Sequence, residues 1–310
     1  MSRLNEDLLI SDLPHDEFVR QVAETPTEYQ DRSCCGCRFA YFPVAKITIC
    51  GHWIFRPAKP IVIGFFFLLL SAIGYYDIWA YGASIAEKVC LSIALFFLMI
   101  CVVVSYLKII IVAPGYLPFN YFYTKREAKT WEDQMSSIAV YKEQVELARE
   151  SERPRRSTFS IRVRRFVLRA DHYCDWAETF IGLYNMRHFL LNLLWVDIYC
   201  LYWILMHIPM CLYIHEHKQF EWLFLLTLCS LPFIVAVFGV SMFHTVVSYR
   251  DACKNYLSLE RWKHNTQAVF DNGSCIANFE EICGERKYIL FWPCPCCDFA
   301  PLADGFYTNY

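Results

Sequence analysis

Four apolar runs, each long enough to cross a bilayer as a helix, constrain this 310-residue chain more than any other feature. They lie at about residues 60–80, 89–112, 188–214 and 220–247. At about 1.5 Å per residue, about 20 such residues cover the hydrocarbon core. Composition agrees: 56% of residues are hydrophobic, 17% aromatic and only 19% charged, the balance of a multi-span membrane protein with polar extramembrane parts. The predicted fold class is therefore mainly α: four transmembrane helices, with a small domain between the second and third. The first 30 residues are acidic and polar without a short apolar core, so the first span is expected to act as its own insertion signal.

Loop charge gives the orientation. Lys88 is the sole Lys or Arg between the first two runs, and Lys218 between the last two, whereas the segment 113–187 is rich in both. The positive-inside rule then places that segment and both termini in the cytosol. The chain divides into a tail with a membrane-proximal aromatic and cysteine-bearing segment (1–59), spans one and two (60–112), a cytosolic domain (113–187), spans three and four (188–247) and a C-terminal region (248–310). In a reducing compartment the sixteen cysteines do not imply disulfides. Cys101, Cys200 and Cys229 read as small apolar residues within spans. The pairs Cys34-x-x-Cys37 and Cys294-x-x-Cys297 suit either a four-cysteine zinc site or lipidation, and acylation is the preferred reading.

Within the cytosolic domain, Ala113-Pro114-Gly115 closes the second span, because proline and glycine oppose further helix. Residues 124–152 read as a charged amphipathic helix serving as a solvated connector. Seven arginines follow between 153 and 170. They form a membrane-surface patch, worth about 1 kcal/mol per residue against anionic lipid, or a cradle for phosphates. Pressed against a bilayer, the patch argues against nucleic acid. Asp171-His172-Tyr173-Cys174, with Trp176 two residues on, carries the chemistry. An imidazole can take a thiol proton, a carboxylate can fix the imidazole's tautomer, and the thiolate can attack an acyl thioester.

Taken together, these motifs resemble the DHHC-type protein S-acyltransferases, or palmitoyltransferases. Arg153-Pro154-Arg155-Arg156 is similar to the family's entry to its cysteine-rich domain, and Asp171–Cys174 with Trp176 to its catalytic stretch. Ile181-Gly182, Asn185 and Phe189 fall at the family's spacing into the third span. Ala113-Pro114-Gly115 resembles its Asp-Pro-Gly, Leu257-Ser258-Leu259-Glu260 its Thr-Thr-x-Glu, and Asn278 with Gly284 its C-terminal motif. The resemblance implies catalysis by Cys174, His172 and Asp171, supported by Ser258 and Asn278. Cys174 would take an acyl group from palmitoyl-CoA and pass it to substrate proteins with membrane-proximal cytosolic cysteines. Arg156, Arg162, Arg164, Arg165 and Arg169 are candidate contacts to the CoA phosphates. Trp195, Tyr199, Tyr202 and Trp203 would line an acyl cavity among the spans. The family also implies an endoplasmic reticulum or Golgi membrane.

The family's cytosolic domain is built on two zinc ions, yet Glu146, Arg149, Phe159, Ser160, Val163, Phe166, Tyr173 and Phe180 occupy the ligand positions. Of these only the glutamate is a weak zinc ligand, so no metal is assigned and structural zinc is expected to be absent. Such zinc supplies about 10–16 kcal/mol in small domains. The expected replacement is an apolar cluster in which Phe159, Ile161 and Val163 alternate with polar residues as in a strand, packed by Phe166, Tyr173 and Phe180. At about 1.5–3 kcal/mol per buried side chain, five or six suffice. Loss of zinc also fits an alternative reading, a catalytically inactive scaffold or accessory subunit. A transporter, suggested by Asp197 and His207 within span three, is the more distant competitor.

Overall fold

The computed structural model describes residues 30–34, 37–42, 46–49, 52–55, 58–82, 84–115, 154–160, 165–217, 222–262, 269–303 and 305. Four long helices dominate: α1 (Ala58–Tyr81), α2 (Ile85–Ile111), α3 (Met186–His217) and α4 (Trp222–Cys253). Each carries a stretch long and apolar enough to cross a membrane: Lys59–Tyr81, Ile85–Ile111, Met186–His207 and Leu228–Cys253. The fourth differs in register from the sequence expectation of 220–247. The helix runs on through Arg250 and Asp251 because it needs no apolar surroundings beyond the bilayer; Asp251 meets Arg261 at 2.9 Å.

Hydrogen bonds at the α1–α2 turn fix the first hairpin. Gly82 N donates to Ile78 O at 3.0 Å, and Ser84 Oγ caps α2 by accepting from Glu87 N at 3.2 Å. Lys88 Nζ turns back to Trp79 O at 2.7 Å. Between the helices, Leu95, Val102, Val196, Tyr199, Trp203 and Ile234 form a buried core. Polar side chains cross it in pairs, as a medium without water requires. Ser71 and Tyr199 hydroxyls meet at 2.9 Å, and His207 Nε2 meets Asp77 Oδ2 at 2.8 Å while its ring stacks on Trp203 at 3.5 Å. Thr245 Oγ1 donates to Asp197 Oδ2 at 2.5 Å. Asp197 and His207, read as signs of an ion path, thus each tie two helices together.

The extramembrane elements are small. Strands β1 (Gln30–Cys34), β2 (Cys37–Phe42), β3 (Lys46–Ile49) and β4 (His52–Phe55) form an antiparallel meander in the segment expected only to lie beside the membrane. Two hairpins follow α2: β5 (Thr158–Ser160) with β6 (Arg165–Val167), and β7 (His172–Cys174) with β8 (Thr179–Ile181). After α4 come α5 (Ser258–Trp262), α6 (Cys275–Cys283) and a 3-10 turn, Arg286–Phe291. The predicted connector helix at 124–152 lies outside the described residues. One cysteine expectation is corrected: Cys253, at the end of α4, is disulfide-bonded to Cys275, which opens α6. These residues stand 22 apart in sequence, a proximity created where α6 meets the end of α4 and invisible to a compartment argument.

A second buried cluster marks where the helix ends converge. Ile109 and Ile110 of α2, Met186, Phe189 and Leu190 of α3, Ala252 of α4 and Ile282 and Cys283 of α6 pack around Cys174 and Ile181. This cluster anchors the β7–β8 hairpin to the spans.

Candidate active site

The β7–β8 hairpin pairs His172 with Ile181, Tyr173 with Phe180 and Cys174 with Thr179. Side chains alternate along a strand, so His172 and Cys174 share one face and Tyr173 takes the other. Asp171, just before β7, is buried, and its N–H donates to Ile181 O at 2.9 Å. Its carboxylate Oδ2 lies 2.6 Å from His172 Nδ1. The remaining ring nitrogen, Nε2, is then the one free for the His172–Cys174 hydrogen bond. Ser258, opening α5, holds the carboxylate from behind: its N–H donates to Oδ1 at 2.8 Å and its hydroxyl to Oδ2 at 3.2 Å. Phe189 abuts the imidazole edge-on at 5.0 Å. Carboxylate, imidazole and thiol are thus arranged in series, with the thiol buried against the helix ends.

Electrostatics follow from these contacts. Burial opposes protonation of His172, but its hydrogen bonds to Asp171 and Cys174 prevail and push it up from 6.5 to about 10. Burial likewise opposes ionisation of Asp171, and the bonds from His172 and Ser258 overcome it, holding the carboxyl below its usual range. At neutral pH the ring is therefore an imidazolium, hydrogen-bonded to the sulfur it must activate.

Close backbone contacts seat the hairpin on the spans. A Cβ at Gly182 would lie 2.5 Å from Pro114 O and 2.8 Å from Val167 Cγ1, so only glycine fits. Asn185 is buried, with Oδ1 accepting from Gly182 N at 2.8 Å and Nδ2 donating to Phe180 O at 2.8 Å and Ile109 O at 3.3 Å. Leu168 N donates to Gly115 O at 2.8 Å, tying the Ala113-Pro114-Gly115 turn to the same unit.

Several predicted residues have other roles. Arg156 and Arg169, assigned to CoA phosphates, are buried and bonded to protein groups. Arg156 bonds both oxygens of Glu260 at 2.9 Å, and Asn255 Oδ1 at 2.8 Å and O at 2.9 Å. Arg169, with a left-handed φ of 45°, donates to Asn255 Oδ1 at 2.7 Å. These arginines fix the domain to the end of α4, and the buried fork leaves no face for a ligand. Arg162, Arg164 and the side chain of Arg165 lie outside the described residues. Asn278 does not reach the Asp171–His172–Cys174 line. It is buried, donating to Cys253 O at 2.8 Å and Asp271 Oδ1 at 2.7 Å, and so shapes the turn between α4 and α6.

Sequence reasoning missed Asn255 and the task of Glu260. Asn255 also donates to Phe270 O at 2.8 Å and Glu281 Oε2 at 2.7 Å, making it the hub of this region. Glu260 stood in a quoted motif; a lone asparagine gave no signal. At the family's zinc-ligand positions, Phe159 pairs with Phe166 in backbone register, and the Tyr173 and Phe180 rings meet edge-on at 6.4 Å. Phe166 and Phe180 are buried, and Tyr173 donates to Glu178 Oε2 at 3.0 Å. Aromatic carbons cannot ligate zinc, so these positions do not fit the ion. Among the described residues, no three His, Cys, Asp or Glu side chains stand as a metal site. Glu146, Arg149, Ile161 and Val163, and the side chains of Phe159 and Ser160, lie outside the described residues. In the bundle, Tyr199 and Trp203 are buried, whereas Trp195 donates to Pro293 O at 3.0 Å and Tyr202 to Leu91 O at 2.7 Å.

Comparison with known proteins gives a consistent result. Residues 139–265 match the DHHC palmitoyltransferase family model. The chain is 40% identical over 48 residues to palmitoyltransferase pfa3 of Aspergillus fumigatus, covering 16% of this chain and 9% of that protein. It is 33% identical over 94 residues to palmitoyltransferase PFA4 of Yarrowia lipolytica, covering 30% and 23%. With palmitoyltransferase ZDHHC15A of Danio rerio it shares 25% identity over 134 residues, covering 41% and 40%. These matches span less than half the length of each relative. The matched segment carries the Asp-His-Tyr-Cys site and the last two of the four candidate membrane-crossing helices, and in that segment the chain is similar to the DHHC palmitoyltransferase family.

Proposed function

We propose that this chain is an integral-membrane protein S-acyltransferase that moves a fatty acyl group from acyl-CoA, through a thioester on Cys174, to cysteines of membrane-proximal proteins. The observation that carries it is the Asp171–His172–Cys174 alignment, with Ser258 holding the carboxylate. With the Cys174 proton held on His172, the Cys174 thiolate attacks the thioester carbonyl and the carbon–sulfur bond to CoA breaks. His172 gives its proton to the departing CoA thiolate. Now neutral, the ring takes the proton of the acceptor thiol, whose sulfur displaces Cys174 as a thiolate. With Arg156 and Arg169 committed to the interior, the CoA phosphates are assigned to Arg162, Arg164 and Arg165.

The domain works without structural zinc in this reading; the Tyr173–Phe180 ring contact and the burial of Phe166 support it. An endoplasmic reticulum or Golgi location, with both termini cytosolic, belongs to the same proposal. It rests on loop charge for orientation and on the family for the compartment.

Self-acylation of the purified, detergent-solubilised protein by labelled palmitoyl-CoA is the test. Hydroxylamine-sensitive label at Cys174, absent from Cys174→Ser and His172→Ala, is expected. Folded wild-type protein that takes no label would overturn the enzymatic reading and favour a scaffold.

A further inference from the structure

Beyond the catalytic unit, the segment after α6 brings three thiols to the surface of the spans. Cys294, Cys296 and Cys297 lie on a loop clamped at both levels of the bundle. Arg187, in the first turn of α3, donates to Cys294 O at 2.9 Å, Trp292 O at 3.1 Å and Cys297 O at 2.5 Å. Lys108, near the end of α2, bonds Asp298 at 2.6 Å and Cys296 O at 3.4 Å. Deeper still, Trp195 Nε1 donates to Pro293 O at 3.0 Å and packs edge-on against Phe97 of α2 at 5.8 Å. Nine residues separate Trp195 from the start of α3, about 13 Å along the helix. The loop therefore reaches down the lipid-facing side of α2 and α3.

The preceding 3-10 turn leads into it with Ile289, Leu290 and Phe291 all exposed, Leu290 at 88%. Consecutive exposed apolar residues are costly in water and favourable at the boundary of headgroups and acyl chains. Their continuity with the spans identifies the lipid surface as their environment. Within the loop Cys296 is exposed, whereas Cys294 and Cys297 are half-buried. Burial opposes ionisation of Cys294, but hydrogen bonds from the Cys296 and Cys297 backbone and thiols outweigh it, so its sulfur sits below the usual thiol range. The Cys294 sulfur beside Cys296 is placed to take its proton.

We propose that Cys296 is an S-acylation site, taking a long acyl chain from a fatty-acyl thioester and anchoring the C-terminal segment in the bilayer. The Cys296 proton passes to the Cys294 sulfur, and the Cys296 sulfur forms a new bond to the thioester carbonyl. The donor carbon–sulfur bond then breaks, and the departing thiolate recovers that proton. The attached chain continues the path that Leu290 and Phe291 begin. The donor is an acyl-CoA or the Cys174 acyl-enzyme, the same thioester chemistry from two sources.

The test expresses the full chain in cells fed an alkynyl fatty acid, followed by cleavage at lysine and arginine. The fragment 288–310 contains neither residue and separates from the fragment 170–187 that holds Cys174. Hydroxylamine-labile label on 288–310 is expected, lost in Cys296→Ser while label on 170–187 stays. Loss from 288–310 in Cys174→Ser identifies the acyl-enzyme as donor, and persistence identifies acyl-CoA or another enzyme; either supports the site. An unlabelled 288–310 fragment, or label that survives Cys296→Ser, overturns it, whatever happens at Cys174.

Discussion

At His172 two hydrogen bonds decide the chemistry, and both are reached within two residues of sequence. Its folded pKa of about 10 lies above the ordinary 6.5, so the protonated ring is the stabilised form. That contribution is complete below 6.5 and is lost as pH rises through about 10. Single-turnover acylation of Cys174 should accordingly hold through neutral pH and decline as pH passes about 10, where the proton donor for CoA disappears. Asp171→Asn removes the main partner raising the ring, so the decline should move down towards 6.5 and the rate fall by about a hundredfold or more. A variant whose decline stays in place would show that Asp171 does not govern the ring. Ser258→Ala keeps the backbone N–H donor to Asp171, so its loss should be milder, about tenfold or less in the same assay.

The β7–β8 hairpin, α5 and the two arginines act as one element. Glu260→Ala removes the carboxylate that neutralises the Arg156 guanidinium, whose side chain is 0% exposed. Removing one side of a buried pair costs about 3–5 kcal/mol, and thermal unfolding of the detergent-solubilised protein should show it as a clear drop in Tm. An unchanged Tm would mean that the remaining partners satisfy the arginine. Gly182→Ala should cost about 1–3 kcal/mol, because its methyl would press on Pro114 O, a backbone atom with no rotamer to change. A variant as stable as wild type would show that the Ala113–Gly115 turn yields freely. The seven arginines between 153 and 170 show how far an element can be read from its composition. Their density suggested a membrane-surface patch or a cradle for phosphates. Arg156 and Arg169 are instead buried, because Asn255 lies 99 and 86 residues further along the chain and supplies the oxygens that make burial affordable.

Across the whole molecule, the spans carry the site on their converging ends, and the β7–β8 hairpin contributes an aromatic contact where the family would place zinc. Purified protein is expected to contain far less than one zinc per chain, and a strong chelator should leave its Tm and Cys174 labelling unchanged. Stoichiometric zinc, or a chelator-induced fall in Tm, would defeat the aromatic-replacement reading. The C-terminal region belongs to this scale too. Arg187, Lys108 and Trp195 hold residues 292–298 against the spans.

The sequence by itself determined the number of spans, because a water-free core accepts only long apolar helices, and it exposed the nucleophile with its base and acid, because these are nearly contiguous. Only the tertiary structure decided which polar residues are interior. Burial of a charge depends on partners that arrive from distant segments, as Ser258 does for Asp171 and Glu260 for Arg156. It also brought Cys253 to Cys275 and set the Cys294–Cys297 loop against α2 and α3, outcomes of chain reversal that no local pattern encodes.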